Sequence, residues 1–167
     1  MYEIRKWVEL DAGHRVPTTT SKCRHLHGHR YRVTAVVTAD SVVPETSGRS
    51  DAGMVVDFGV VKQALLQEVH DPYDHQLILW ENDPLVNDPN FFDGLDHHEL
   101  WSPGVRLVPC IPTAEELARF WAPKVQEALY QLTPGVPHRH LFHLRALEVR
   151  ETPTSYATFY PNGVSYP

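Results

Sequence analysis

The chain has 167 residues, of which 42% are hydrophobic and 22% are charged, and its formal net charge is −6. These values are ordinary for one globular domain, and they exclude an intrinsically disordered chain. The acidic balance argues against a surface for nucleic acid or for an anionic membrane, because such surfaces need clustered basic residues. We therefore predict one domain over residues 1–167, with no nucleic-acid partner and no membrane association.

The sequence shows no sign of export, membrane insertion or disulfide bonding. Its apolar runs are too short to cross a bilayer, and the first ten residues, MYEIRKWVEL, lack the apolar stretch of a signal peptide. Two cysteines, Cys23 and Cys110, cannot form a disulfide framework. We expect a cytoplasmic protein in which both thiols are reduced.

The first half of the chain predicts three strands and a helix. Apolar and polar residues alternate over 2–10 and again over 29–39, which is the pattern of a half-buried strand. A short strand is predicted at 54–56. Asp57 follows it and can cap a helix that runs to about His70.

The second half begins with a segment, 82–111, that is rich in Pro, Asp, Asn and Gly and lacks steady periodicity. We expect a long loop there, which either covers an active site or is an insertion. Thr113 begins a T-x-x-E capping box, and helical spacing of apolar residues follows it to about residue 131. Strands are predicted near 141–151 and 154–160. Apart from the short strand at 54–56, the order is ββ-α-α-ββ, which predicts an α+β fold with helices on one face of an antiparallel sheet.

Histidines are frequent in this chain and crowd around Cys23. On a strand, His27 and His29 point to the same face with Cα atoms about 6.5 Å apart, so both can reach one ion. His25 shares that face, but its Cα lies about 13 Å from that of His29, too far for bonds of about 2 Å. His14, at the end of the first strand, is the better candidate for a third ligand. The alternative is that these histidines are merely solvated.

Six short motifs stand in an order that carries a resemblance to a known family. They are Ala12-Gly13-His14-Arg15, Cys23-x-x-x-His27-Gly28-His29, Gly53-Met54-Val55-Val56-Asp57-Phe58, Asp74-His75, Pro112-Thr113-x-Glu115 and Glu151-Thr152. From the first strand to the end, with a break mainly at 82–111, the chain resembles the 6-pyruvoyltetrahydropterin synthase/QueD superfamily. The three residues between Cys23 and His27 look most like the QueD branch, the 6-carboxytetrahydropterin synthases.

The resemblance implies the tunnelling fold (T-fold), an α+β architecture with a four-stranded antiparallel sheet and two helices on one face. In this family the sheets of several subunits join into a barrel, and active sites form between chains. We therefore expect a homo-oligomer, a hexamer, in which 82–111 is a loop insertion into the domain.

The resemblance also implies a reaction. Zn²⁺ is expected at His14, His27 and His29, with a fourth position open for 7,8-dihydroneopterin triphosphate. There zinc would act as a Lewis acid on the side-chain hydroxyls. A lyase of this type forms 6-carboxy-5,6,7,8-tetrahydropterin and releases acetaldehyde and triphosphate, an early step toward 7-deazaguanines such as queuosine.

Cys23 matches the family's catalytic cysteine, which moves a proton at the substrate side chain. Lys22 and Arg24 flank Cys23, and positive charge nearby favours the reactive thiolate. We expect these two residues, with Arg15, to supply positive charge for the triphosphate. Cys110 has no such neighbours, and we expect it to be a buried core residue.

Asp74-His75 matches the family's acid/base pair, in which the carboxylate orients the imidazole. Asp96-His97 is an alternative, and its local sequence also resembles some QueD proteins. We favour Asp74-His75 because it follows Asp57 by one helix length.

Glu151 matches the family's pterin anchor, whose carboxylate accepts two parallel N–H bonds. The backbone of Thr113 is a further candidate for contact with the pterin. Glu115 lies in the first turn of a predicted helix, where an acidic side chain is favoured without any further role.

Two alternatives remain at the level of function. A pyruvoyltetrahydropterin synthase eliminates triphosphate from the same substrate without breaking its carbon chain. A non-catalytic zinc module would instead use Cys23 as a fourth ligand beside the three histidines.

Overall fold

The computed structural model describes residues 1–88, 90, 104–133 and 142–163, and its centre is one curled six-stranded sheet. The strands are β1 (Tyr2–His14), β2 (His27–Ala39), β3 (Leu77–Trp80), β4 (Val105–Val108), β5 (His143–Thr152) and β6 (Ser155–Phe159). Their order across the sheet is β4-β3-β1-β2-β5-β6. The strands β1, β2, β5 and β6 pair antiparallel, whereas β3 pairs parallel with both β1 and β4.

The prediction of a four-stranded sheet was therefore wrong, although its four antiparallel strands are present. Two parallel strands extend the sheet beyond β1. The strand β3 is a short apolar run without alternation, a pattern typical of buried parallel strands that does not distinguish strand from helix. The strand β4 lies inside 82–111, which we expected to be a loop.

The strand predicted at 54–56 is also absent, as these residues form no ladder in the structure. Val55 and Val56 are buried in the core, which explains their apolar character. Two hydrogen bonds of 2.8 Å join this segment to Val43. The Val43 N–H donates to the Met54 carbonyl, and the Gly53 N–H donates to the Val43 carbonyl. Burial rather than strand pairing accounts for the apolar pattern.

Two helical segments cover the sheet. The first is α1 (Phe58–Leu65), which continues through a π-helical turn (Leu66–His70) into the short α2 (Asp71–Tyr73). Its N-cap is Asp57, whose carboxylate accepts the Gly59 N–H at 2.6 Å, as predicted. The second is α3 (Ala114–Gln131), where the Thr113 hydroxyl accepts the Glu116 N–H at 3.3 Å. Both predicted helix starts are confirmed.

The core lies between the helices and one face of the sheet. Side chains on that face of β1 and β2 include Leu10 and Tyr31, and they pack in one cluster with Trp121 of α3. The opposite face carries exposed residues such as Trp7 and Arg32. Because strand side chains alternate between faces, even-numbered residues of β1 and odd-numbered residues of β2 share the buried face. This parity places His14, His27 and His29 on the same side of the sheet.

None of the helices in the described ranges combines the length and the apolar character that a membrane span requires. Asp96 and His97, the alternative acid/base pair, lie outside the residues that the structure describes.

Candidate metal centre and active site

Three histidines converge at one end of the buried sheet face. The β1–β2 register places His14 directly opposite His27, and His29 is two residues further along β2. One ring nitrogen from each lies within 4.8 Å of the others. His14 is almost fully buried, whereas His27 and His29 are half-buried. The structure therefore brings together the three residues that the sequence nominated as metal ligands.

The hydrogen bonds of two of these rings determine which nitrogen is free. Nδ1 of His14 lies 2.7 Å from the Pro112 carbonyl oxygen, and Nδ1 of His27 lies 2.7 Å from that of His25. A carbonyl oxygen can only accept, so we assign the proton of each neutral ring to Nδ1. Each Nε2 is then a bare lone pair, and metal-binding histidines are commonly oriented in this way.

Burial keeps the imidazoles of His14 and His29 neutral. The pKa of His14 is lowered to about 4, chiefly by desolvation and also by the charges of His27 and His29, although its bond to Pro112 opposes the shift. Desolvation, followed by the charge of His27, also lowers the pKa of His29. A ligand histidine must be deprotonated to bind a metal, so the site suits a cation at neutral pH. Three imidazole nitrogens are a donor set that Zn²⁺ accepts readily.

Cys23 lies in a 3₁₀ turn, Lys22–Arg24, between β1 and β2. The Ser21 hydroxyl accepts the Cys23 N–H at 3.3 Å, and the Cys23 carbonyl accepts the Val16 N–H at 2.8 Å. Cys23 is exposed. Among the described residues, it does not belong to the group whose ligand atoms converge, so this arrangement does not use it as a fourth ligand.

Tyr31 lies in the buried face beside the histidines. Burial raises the pKa of Tyr31, and the charges of Glu151 and Cys23 raise it further. The Tyr31 ring also packs edge-on against His14 and His29, with centroids 5.7 and 5.5 Å away. Tyr31 therefore packs against two of the three histidines on the buried face.

Glu151 lies close to the metal ligands, with its carboxylate oxygen 4.0 Å from Nε2 of His14. Burial raises the pKa of Glu151, the charge of Glu115 raises it further, and His27 opposes both. This influence of Glu115 was not predicted, because its sequence position indicates only a helix-terminal role. No local signal could have shown it, because the two acids are on different elements. Thr113 caps α3, next to the Pro112 carbonyl that holds His14.

Asp74 and His75 form a hydrogen-bonded pair, with Oδ2 of Asp74 2.8 Å from Nδ1 of His75. The other carboxylate oxygen accepts the Asp11 N–H at 2.9 Å, and the His75 N–H donates to the Asp11 carbonyl at 2.7 Å. Burial tends to raise the pKa of Asp74, but the Asp11 amide and His75 outweigh it and the net shift is downward. The carboxylate therefore stays ionised and can orient the imidazole.

The position of this pair was not evident from the sequence. Asp11 precedes His14 by three residues and projects its side chain from the opposite face of β1. The pair lies on the side of β1 where β3 pairs, whereas His27 and His29 are on β2, which pairs with the other side of β1. The His75 side chain is 78% exposed. Within one chain, β1 therefore lies between the pair and two of the metal ligands, His27 and His29, while His14 belongs to β1 itself.

Arg15, which we expected to supply positive charge for the triphosphate, forms an ion pair with Asp83 instead. The Nε atom of Arg15 lies 3.1 Å from the carboxylate of Asp83, which is fully buried. This ion pair neutralises Arg15, so Lys22 and Arg24 remain as the basic candidates beside Cys23. Both are exposed.

Comparisons with known proteins identify the family and agree with this fold. The family model described as 6-pyruvoyl tetrahydropterin synthase matches residues 3–162. A 6-carboxy-5,6,7,8-tetrahydropterin synthase of Synechocystis sp. is 34% identical over 160 residues, covering 96% of this chain and 94% of that protein. A protein of the same name from Rickettsia bellii is 37% identical over 83 residues, 50% of this chain and 55% of that protein. In that match the chain spans only about half the relative's length.

The structural comparison shows the same fold. A crystal structure of 6-pyruvoyltetrahydropterin synthase from Plasmodium vivax superimposes with a TM-score of 0.64 at 20% identity, covering 95% of this chain and 98% of that chain. Since the family model spans nearly the whole sequence, the chain belongs to the 6-pyruvoyl tetrahydropterin synthase family.

Proposed function

We propose that this chain is a zinc-dependent 6-carboxy-5,6,7,8-tetrahydropterin synthase that acts on 7,8-dihydroneopterin triphosphate and releases acetaldehyde and triphosphate. The observation that carries the proposal is the convergence of His14, His27 and His29, with Glu151 beside them. The Synechocystis relative, which covers nearly the whole chain, supports the carboxy branch of the family.

The histidines fit a zinc ion because their two assigned lone pairs would otherwise face each other. Zinc bound there would supply a Lewis acid that makes a substrate hydroxyl easier to deprotonate. With three protein ligands, one coordination position stays open for the substrate. This arrangement is typical of catalytic rather than structural zinc sites.

The chain's own side chains would orient the substrate and move its protons. Glu151 would accept parallel N–H bonds from the pterin edge. Cys23 is the candidate for proton transfer at the side chain, and Lys22 and Arg24 supply charge for the triphosphate. This is the set of roles that the sequence motifs imply.

The Asp74-His75 pair would complete the site of a neighbouring subunit. Its position across β1 from His27 and His29 supports this assignment, because the His75 side chain is exposed there. The proposal therefore includes a homo-oligomer, a hexamer built around a barrel, with sites shared between chains.

A single product analysis tests the reaction. Zinc-loaded protein is incubated with 7,8-dihydroneopterin triphosphate, and products are followed by mass spectrometry. Carboxytetrahydropterin with acetaldehyde is the expected result. A pyruvoyl product without acetaldehyde would replace the proposed reaction with that of a pyruvoyl synthase. Zinc binding without any turnover would contradict both reactions.

A further inference from the structure

A fully buried carboxylate, that of Asp83, lies near the start of the segment 82–111, for which the sequence predicts only a long loop. Asp83 has no exposed surface, and among the described residues it is the only acidic side chain in the buried class. Burying a charge is costly unless partners stabilise it. One carboxylate oxygen accepts the Leu85 N–H at 2.8 Å. The other lies 3.1 Å from the Nε of Arg15, an ion-pair contact that does not have the alignment of a hydrogen bond.

Arg15 lies between two parts of the proposed site. The residue before it, His14, is held by the Pro112 carbonyl at 2.7 Å. The residue after it, Val16, donates its N–H to the Cys23 carbonyl at 2.8 Å. Three consecutive residues are thus fixed by three different segments of the chain. Of these three contacts, only that of Arg15 with Asp83 is an ion pair.

We propose that Asp83 is a positioning residue, which acts through Arg15 to hold the end of β1 where it presents His14 to the metal. The Asp83–Arg15 pair then gives the first turn of the segment 82–111 a function in the site. This inference rests on the proposed zinc site. The competing explanation is that the pair only stabilises the fold.

The test compares zinc affinity with thermal stability. Asp83→Asn keeps the size of the side chain but leaves the Arg15 guanidinium without its counter-charge. We expect zinc to bind roughly 10-fold more weakly, the lower end of the range for loss of a direct outer-shell partner, because Asp83 acts through Arg15 and not on His14 itself. The measurement is a competition titration of zinc against a chromophoric chelator, with Tm of the zinc-free protein recorded in parallel.

Leu129→Ala is the matched control. Leu129 is fully buried in α3, about 24 Å along the helix from Thr113, so its truncation lowers Tm far from the histidines. We expect its zinc affinity to equal that of the wild type. If Asp83→Asn also binds zinc as the wild type does while its Tm falls, the positioning role is overturned.

A double variant keeps the test valid if the single variant fails to fold. Asp83→Asn combined with Arg15→Gln removes both charges, and so leaves no unpaired ion in the interior. We expect it to regain Tm but to keep the weakened zinc affinity. Wild-type zinc affinity in the double variant would overturn the inference. Failure of the wild-type protein to bind zinc would overturn the proposed function instead.

Discussion

The Nε2 atoms of His14 and His27 face each other at 3.1 Å, while both Nδ1 atoms are held by backbone carbonyls. With these tautomers there is no proton between the two nitrogens. Their lone pairs repel unless a cation lies between them, and His29 offers a third nitrogen nearby. This relationship is the most direct physical argument for a metal ion at this end of the sheet.

Replacing His27 therefore removes the metal, and its neighbour His25 provides the control. His27→Ala deletes one of three ligands, so we expect a loss of zinc affinity beyond the roughly 100-fold that removal of an outer-shell partner causes. His25→Ala deletes a ring outside the ligand group but keeps the carbonyl that holds His27. Zinc content after gel filtration, measured by mass spectrometry, is the readout. Equal zinc content in the two variants would contradict the assigned ligand set.

The buried position of His14 predicts a pH dependence of stability in the zinc-free protein. Its pKa falls from 6.5 to about 4 on folding, chiefly through desolvation. The unfolded chain then binds more protons than the folded one between these values, so stability decreases as pH falls from 6.5 to 4. Above pH 6.5 the contribution is fully present. A shift of this size corresponds to a loss of about 3 kcal/mol across the window.

Denaturant unfolding at several pH values between 7 and 4 measures this effect, with His14→Gln as the comparison. The variant has no titrating group at this position, so its free energy of unfolding should fall less steeply than that of the wild type. His29, whose pKa is also lowered by burial, contributes to the slope of both proteins. Parallel curves for wild type and variant would show that His14 is not the source.

Much of this site follows from local sequence patterns. Alternation over β2 placed His27 and His29 on one face, and the capping residues Asp57 and Thr113 set both helix starts. These features depend only on neighbouring residues and on the period of a strand or helix. A short window of sequence therefore contains all that is needed to predict these strands and helix starts.

The features that the sequence did not predict depend on distant pairings. The strand β3 has no alternation, so only its pairing with β1 and β4 identifies it. The ion pair between Arg15 and Asp83 joins residues that are far apart in the chain. Glu115 and Glu151, whose charges influence each other, are also distant in sequence. The choice of His14 as third ligand came from the position of the first strand and from a family resemblance, since its register against His27 has no local signal.

The location of the Asp74-His75 pair predicts complementation between inactive variants. Cys23→Ala and Asp74→Asn should each lose activity by about 10²- to 10⁴-fold, the usual range for an acid or base, while zinc remains bound. If each site combines Cys23 of one chain with the pair of another, randomly mixed subunits should recover about a quarter of wild-type activity.

The mixed oligomer is prepared by denaturing the two variants together and refolding them, and turnover is followed by product formation. Asp71→Asn is the control for the acid, because Asp71 is an exposed neighbour that bonds His70 and not His75. It should remain fully active. Activity that stays at the level of the separate variants would place Cys23 and the pair in the same chain's site.

The basic residues beside Cys23 should affect substrate binding rather than the metal. Lys22 and Arg24 are exposed on the turn that carries the thiol, and Arg15 is occupied by Asp83. We expect Lys22→Ala with Arg24→Ala to raise KM by about tenfold, equivalent to 1.4 kcal/mol of lost attraction to the triphosphate. The effect should weaken in high salt, because exposed charges are screened. Zinc content should not change.

Steady-state kinetics at two salt concentrations measure this prediction, with Lys62→Ala as the control. Lys62 is an exposed lysine on α1, outside the residues assigned to the site, and its removal changes net charge by one unit. It should leave KM unchanged. A KM that stays constant in the double variant would show that the triphosphate is bound elsewhere. A lower kcat at constant KM would instead assign these residues to the thiolate of Cys23, whose negative charge they would then stabilise.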